Sequence, residues 1–171
     1  ASLFPLGLVT GQESYPFEEV ERSTATYFQK PEEDLKVDIF QPKGDTASNR
    51  PLLLYVHGGG FAIGKRDHPN HLRFCEQLAR RGFVSATMSY TLIMKGKRFG
   101  CGRPAPEKIQ TFLHTARDIA RATQFFIERA ERFGIDTSKI FILGSSAGAE
   151  AVLHAAYWKA AYKDENGPIL A

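Results

Sequence analysis

Apolar residues in this chain fall into short unbroken runs, separated by stretches where they recur every three or four positions. Leu52-Leu53-Leu54-Tyr55-Val56 and Ile140-Phe141-Ile142-Leu143 are runs of strand length, and Phe83-Val84-Ser85-Ala86-Thr87-Met88 is a third. Runs this short, bounded by turn residues, predict buried strands. Ala25-Thr26-Tyr27-Phe28 and Val37-Asp38-Ile39-Phe40 predict two more, and the polar Lys43 to Asn49 stretch is the turn before the Leu52 strand. Leu72, Cys75, Leu78 and Ala79 share one helical face, in a helix that Asp67-His68-Pro69 starts and Gly82 stops. The longest helix carries Ile109, Phe112, Leu113, Ala116, Ile119, Ala120 and Thr123 at helical spacing, with Gly134 as its end. An irregular, glycine-rich and basic stretch from Lys95 to Pro106 leads into it, and Asp136-Thr137-Ser138 turns the chain into the next strand. Alternating strands and helices predict an α/β fold: a mostly parallel sheet with flanking helices and right-handed crossovers.

Two of the strands end in chemistry. Behind Ile140 to Leu143 stands Gly144-Ser145-Ser146-Ala147-Gly148, a G-x-S-x-G pattern before a further helix. A strand that breaks into this pattern and then a helix holds a serine hydroxyl on a strained turn, and the flanking glycines let neighbouring backbone approach. Ser146 is the centre; centring on Ser145 would put Leu143 where a small residue is required. Upstream, Leu52 to Val56 ends in His57-Gly58-Gly59-Gly60-Phe61. Acyl transfer needs donors aimed at a developing oxyanion, and glycines allow backbone N–H groups to come close.

The glycine loop and the serine elbow, in this order, resemble the α/β-hydrolase superfamily, and within it the carboxylesterase and hormone-sensitive-lipase-like esterases. The resemblance runs from the forties to the C-terminus. It implies a serine carboxylic-ester hydrolase with an acyl-serine intermediate: Ser146 as nucleophile, and the N–H groups of Gly59, Gly60 and Ala147 as the oxyanion hole. His57, Gly58, Gly144 and Gly148 support the two motifs. Relatives usually carry Asp or Glu where this chain has Ser145, which implies tuning rather than loss. The family's order places an acid and then a histidine well after the nucleophile. Here His154 lies on the elbow's own helix, and Asp164 and Glu165 are expected at that helix's end, too early for the acid. The expectation is therefore the N-terminal part of an α/β-hydrolase domain (23–171) without its C-terminal strands, leaving an apolar sheet edge. Residues 1–22 are expected as a flexible arm or signal-peptide remnant. A non-catalytic binding or truncated relative on the same fold is the alternative.

Composition narrows this modestly. With 43% hydrophobic and 24% charged residues the chain reads as globular, and a net charge of +3 is too mild to argue for nucleic acid. No apolar run reaches the ~18 residues of a membrane span. Leu3 to Val9 followed by Thr10-Gly11 resembles the end of an export signal, so an exported (periplasmic or secreted) location stands beside a cytoplasmic one. Cys75 and Cys101 are most simply a buried thiol and a loop thiol. Gly59 to Lys65 also fits the phosphate-loop spacing of a nucleotide-binding protein, but Arg66 replaces the Mg²⁺-binding Ser or Thr. His68, His71 and Asp67 are explained by a helix start, so neither a metal nor a cofactor is assigned. The resemblance implies a small-molecule ester substrate, an acetylated carbohydrate being one example; oligomeric state is not legible.

Overall fold

The computed structural model describes residues 15–157 and the backbone of 163–164 and 167–168. The apolar start, the small residues after it and Glu165 lie outside the described residues. Five strands form one sheet: β1 (Val20–Phe28), β2 (Leu35–Pro42), β3 (Arg50–Val56), β4 (Val84–Met88) and β5 (Ile135–Gly144), in the order β1-β2-β4-β3-β5. The helices are α1 (Pro69–Arg80), α2 (Ala105–Ile127), α3 (Ala130–Phe133) and α4 (Ala147–Tyr157). Two-residue strands β6 (Lys163–Asp164) and β7 (Gly167–Pro168) pair antiparallel. Asp164 is thus in β6 and not at the end of α4, which stops at Tyr157.

The sheet is mixed. β3 pairs in parallel with β4 and β5, whereas β2 runs antiparallel to both β1 and β4. The reason is connection length. The short 29–34 link can only return β2 antiparallel to β1, while α1 provides the long crossover that a parallel β3–β4 pair requires.

Each face of the sheet has its own cover. Phe40 packs with Cys75 and Ala79 of α1, flanked by Tyr55, Leu72 and Phe74. On the other face Val37, Ile39, Leu52, Leu54, Val56, Ala86 and Met88 meet Ile119, Ala120 and Phe126 of α2 and Ala147, Ala151 and Ala155 of α4. Each large side chain fully buried there contributes about 1.5–3 kcal/mol. The buried face of α2 also holds threonines. Thr111, Thr115 and Thr123 donate their hydroxyls to the carbonyls of Glu107, Thr111 and Ile119, which satisfies them without breaking the helix.

Three local features differ from the sequence expectation. β1 begins at Val20, ahead of the expected Ala25, and Tyr15 and Phe17 already pack beneath Arg81 and Arg50. The long helix ends at Ile127, and Gly134, at φ 64°, caps the separate short α3 instead. Asp136 to Ser138 fall within β5 but loop out of its pairing: Arg50 faces Ile135, then Leu52 faces Ile140. The Asp136 carboxylate accepts from the Ser138 N–H at 3.0 Å and its hydroxyl at 2.6 Å, which closes the expected turn inside the strand. β5 ends the strand order on one side, with Phe141 53% and Leu143 43% exposed.

Candidate active site

Ser146 stands at the break between β5 and α4 with φ 50°, an uncommon conformation for a residue with a side chain. Strain of this kind costs on the order of 1–3 kcal/mol and persists only where the surroundings enforce it. Two glycines do so. A Cβ on Gly144 would lie 2.4 Å from the Gly148 carbonyl, and one on Gly148 would lie 2.3 Å from the Val56 carbonyl oxygen. The elbow is therefore closed on itself and pressed against the end of β3. The Ser145 N–H donates to the Val56 carbonyl at 3.2 Å, and the Gly148 N–H to the Ser145 carbonyl at 2.9 Å. Ser146 is exposed.

The glycine loop is placed against this turn by Gly58, whose Cβ position would be 2.9 Å from the Ser145 carbonyl oxygen and 3.1 Å from the Ser146 Cβ. Gly59 (φ 122°) and Gly60 (φ 60°) carry the chain through a turn in which the Ala62 and Ile63 N–H groups donate to the Gly59 carbonyl. Among the described residues, no such backbone bond engages the N–H groups of Gly59, Gly60 or Ala147. Ala147 is the first residue of α4, so its N–H has no partner within the helix and lies at the positive end of the helix dipole. The structure thus brings Ser146, Ala147 and the glycine loop together in one place.

His57 is a structural part of the loop. It is 2% exposed; its Nδ1 lies 2.7 Å from the Gly58 carbonyl, and its ring stacks on Tyr90 at 4.4 Å. Tyr90 in turn donates its hydroxyl to the His57 carbonyl at 2.9 Å. Burial, the main cause, lowers the pKa of the His57 imidazole from its usual 6.5. His154 sits two turns along α4, stacked on Phe112 at 4.1 Å, away from Ser146. His68 caps α1 by accepting the Asn70 N–H, and His71 Nδ1 faces the Lys65 carbonyl at 3.2 Å. The phosphate-loop alternative does not fit this geometry. Phe61 is wholly buried, Gly64 packs against the His57 ring, and α1 begins only at Pro69, so Lys65 opens no helix.

Some supporting residues, Asp38, Arg66 and Gly64 among them, carry no signal of that role in the sequence, while others do. Asp38 is fully buried on β2, accepts the Thr24 hydroxyl at 2.6 Å and faces Arg22 at 3.2 Å and Arg66 at 3.1 Å. Arg66 follows the glycine loop, so this pair ties the loop to the sheet. Gly64 meets the His57 ring and the Gly58 carbonyl so closely that a Cβ would clash with both. Ser145 accepts from the Tyr55 hydroxyl at 3.1 Å across the β3–β5 pair. Phe61, at φ 59°, is enclosed by Tyr90, Phe99 and Phe112. Cys75 is buried and Cys101 exposed, and both are free.

Comparison with known proteins bears on the fold and the family. The chain is 33% identical over 121 residues to gut esterase 1 of Caenorhabditis elegans, covering 71% of this chain and 20% of that protein. It is 30% identical over 137 residues to an ethyl acetate hydrolase of Pseudomonas putida, covering 80% and 38%. Among solved structures it is similar to a brefeldin A esterase described as a bacterial homologue of human hormone-sensitive lipase. That match has a TM-score of 0.63 at 25% identity, over 90% of this chain and 37% of that one. The butyrate-bound esterase Est2 of Thermogutta terrifontis shares the fold at TM-score 0.62 and 24% identity, over 78% and 43%. The chain therefore spans about a fifth to two-fifths of the length of these relatives. The profile of the BD-FAE family matches residues 37–167, from β2 through β7, and so takes in both the glycine loop and the elbow. The α/β fold with its flanking helices is that of the α/β-hydrolase esterases, and the chain belongs to the BD-FAE family.

Proposed function

We propose that the protein hydrolyses carboxylic esters through an acyl-serine intermediate, with Ser146 as nucleophile. The observation that carries this reading is the contact between the strained Ser146 turn and the glycine loop, set by the Gly58 and Gly148 close approaches. Ser146 Oγ attacks the acyl carbonyl and passes its proton to a base. The carbonyl oxygen gains charge and is met by the N–H groups of Gly59, Gly60 and Ala147, each such donor being worth about 10²–10³ in rate. The tetrahedral intermediate expels the alcohol and leaves the acyl group on Ser146, and water reverses the sequence. His57 cannot be the base, because its ring is buried and held beneath the loop. His154 is two turns away on α4. The base and its acid partner are assigned to the part of the relatives' length that this chain does not span. The ethyl acetate hydrolase among the relatives supports a short acyl group, with acetylated small molecules, carbohydrates included, as substrates.

A fluorophosphonate probe tests the nucleophile. Wild-type protein labels on Ser146, and Ser146→Ala neither labels nor turns over para-nitrophenyl butyrate. Labelling or turnover that survives the substitution refutes the assignment.

A further inference from the structure

The segment between β4 and α2 is long and irregular, and it is built onto the glycine loop. The Met94 N–H donates to the Phe61 carbonyl at 3.0 Å, and Met94 is itself buried. Phe99 packs edge-on against Phe61 at 5.0 Å and Phe112 at 5.6 Å. Its Cβ lies 3.9 Å from the point where a Cβ on Gly60 would stand, so Phe99 is the side-chain neighbour of a proposed oxyanion donor. From Phe99 outward the segment borders a shallow, open cleft of about 420 Å³, lined by Arg98, Phe99, Gly100, Gly102, Arg103 and Pro104. No carboxylate lines it.

Charge is concentrated here. Residues 95–108 hold Lys95, Lys97, Arg98, Arg103 and Lys108 against Glu107 alone, which exceeds the +3 net charge of the whole chain. Glu107 is shared by Arg103 at 3.3 Å and Lys97 at 3.8 Å. Arg103 Nε also donates to the Arg98 carbonyl at 2.9 Å, which fixes the turn. Arg98 is exposed and has no carboxylate partner among the described residues. A guanidinium with free donors presents paired N–H groups to a carboxylate, and the surrounding cations draw anions toward it.

We infer that this cleft is an anion subsite of the esterase site: one half of the ester carries a carboxylate that Arg98 binds while the scissile carbonyl faces Gly60. The inference rests on the esterase reading for its place in catalysis, but not for binding.

Four esters and two amides test it on the full-length protein. The para-nitrophenyl monoester of adipic acid is compared with para-nitrophenyl hexanoate, which places the charge on the acyl half. The acetate of a ring-carboxylated para-nitrophenol is compared with para-nitrophenyl acetate, which places it on the alcohol half. In Arg98→Gln, kcat/KM for the favoured anionic ester falls about fivefold through KM, the neutral esters stay unchanged, and high salt erases the preference in wild type. An equal loss for neutral and anionic esters, or no loss for either, overturns the inference. The monoanilide of adipic acid and ring-carboxylated acetanilide are titrated by calorimetry into protein carrying Ser146→Ala, with and without Arg98→Gln, so that turnover does not confound binding. If no ester is turned over, the binding arm alone decides: binding that Arg98→Gln weakens upholds the subsite and only the esterase reading fails. Binding that Arg98→Gln leaves unchanged overturns the subsite whatever the kinetics.

Discussion

Gly148→Ala separates the fit of the elbow from the stability of the helix it begins. Elsewhere in a helix, replacing glycine by alanine stabilises by about 1 kcal/mol. At Gly148 the added methyl would stand 2.3 Å from the Val56 carbonyl oxygen and 2.7 Å from that of His57. Both are backbone atoms of β3 and the start of the glycine loop, so neither can rotate away. Relief requires α4 and the loop to part by about 1 Å, a displacement that can cost about 10²-fold in rate when it misplaces reacting groups. Overpacking of this kind costs about 1–3 kcal/mol, which outweighs the helix gain. The expected result is a net loss of up to about 2 kcal/mol in urea unfolding, with kcat/KM for para-nitrophenyl butyrate down about 100-fold. Gly44→Ala is the control. Gly44 also has a positive φ, 71°, but nothing lies within 4 Å of the added methyl. It should lose about 1 kcal/mol from backbone strain and no activity. If Gly148→Ala keeps kcat/KM within twofold of wild type, the close approach of α4 to β3 does not set the geometry of Ser146.

Two further expectations concern titration. Burial pushes the Cys75 thiol up to about 12, while Cys101 is exposed, so an aromatic disulfide reagent should titrate Cys101 rapidly and Cys75 only after denaturation; rapid reaction of both in native protein refutes the placement of Cys75. Burial also lowers the His57 pKa below the usual 6.5, so the unfolded chain takes up a proton that the folded chain refuses. His57 thus favours the folded state above that pH, and the contribution is lost as pH falls, by at most about 1.4 kcal/mol per pH unit. Asp45 and Asp136, held below the carboxylate range by Arg50 and Lys139 respectively, act only at lower pH. Burial lowers His71 and His114 in the same sense, so urea midpoints should fall as pH drops below about 6.5 through all three imidazoles, and a flat or rising profile contradicts their burial.

The strands and the elbow were legible because their signals are local. Leu52 to Val56 and Ile140 to Leu143 are apolar runs next to glycine patterns, and no tertiary information is needed to see either. The sense of β2 was not legible, because Val37 to Phe40 looks the same in a parallel or an antiparallel pair and only the sheet's neighbours decide. Gly134 misled for a related reason: a glycine marks a helix end but not which helix, and the break at Arg129 has no proline or glycine to announce it. Gly58, Gly144 and Gly148 could be anticipated as close approaches, whereas Gly64 could not, since its neighbour His57 is reached only once the loop has folded back. Asp38 was invisible as a site element. In sequence it is one polar residue in a strand, and its partners Arg22, Thr24 and Arg66 come from β1 and from the chain beyond the glycine loop.

The Asp38–Arg66 pair makes the glycine loop depend on parts of the chain far from it. The glycine loop is local to β3, and its turn could form early from residues within a few positions of each other. Its anchor is different: Asp38 is carried by β2, which reaches the sheet only by pairing with β4, Phe40 against Ser85 and Val37 against Met88. Pairings between positions so distant in the chain close large loops and are slow relative to helix formation. Until they form, Arg66 has no buried carboxylate to meet and the loop's far end is untethered. The glycine loop and the elbow thus hang on contacts between distant parts of the chain, so a substitution on β1 or β2, far from Ser146 in sequence, reaches the site through Arg66.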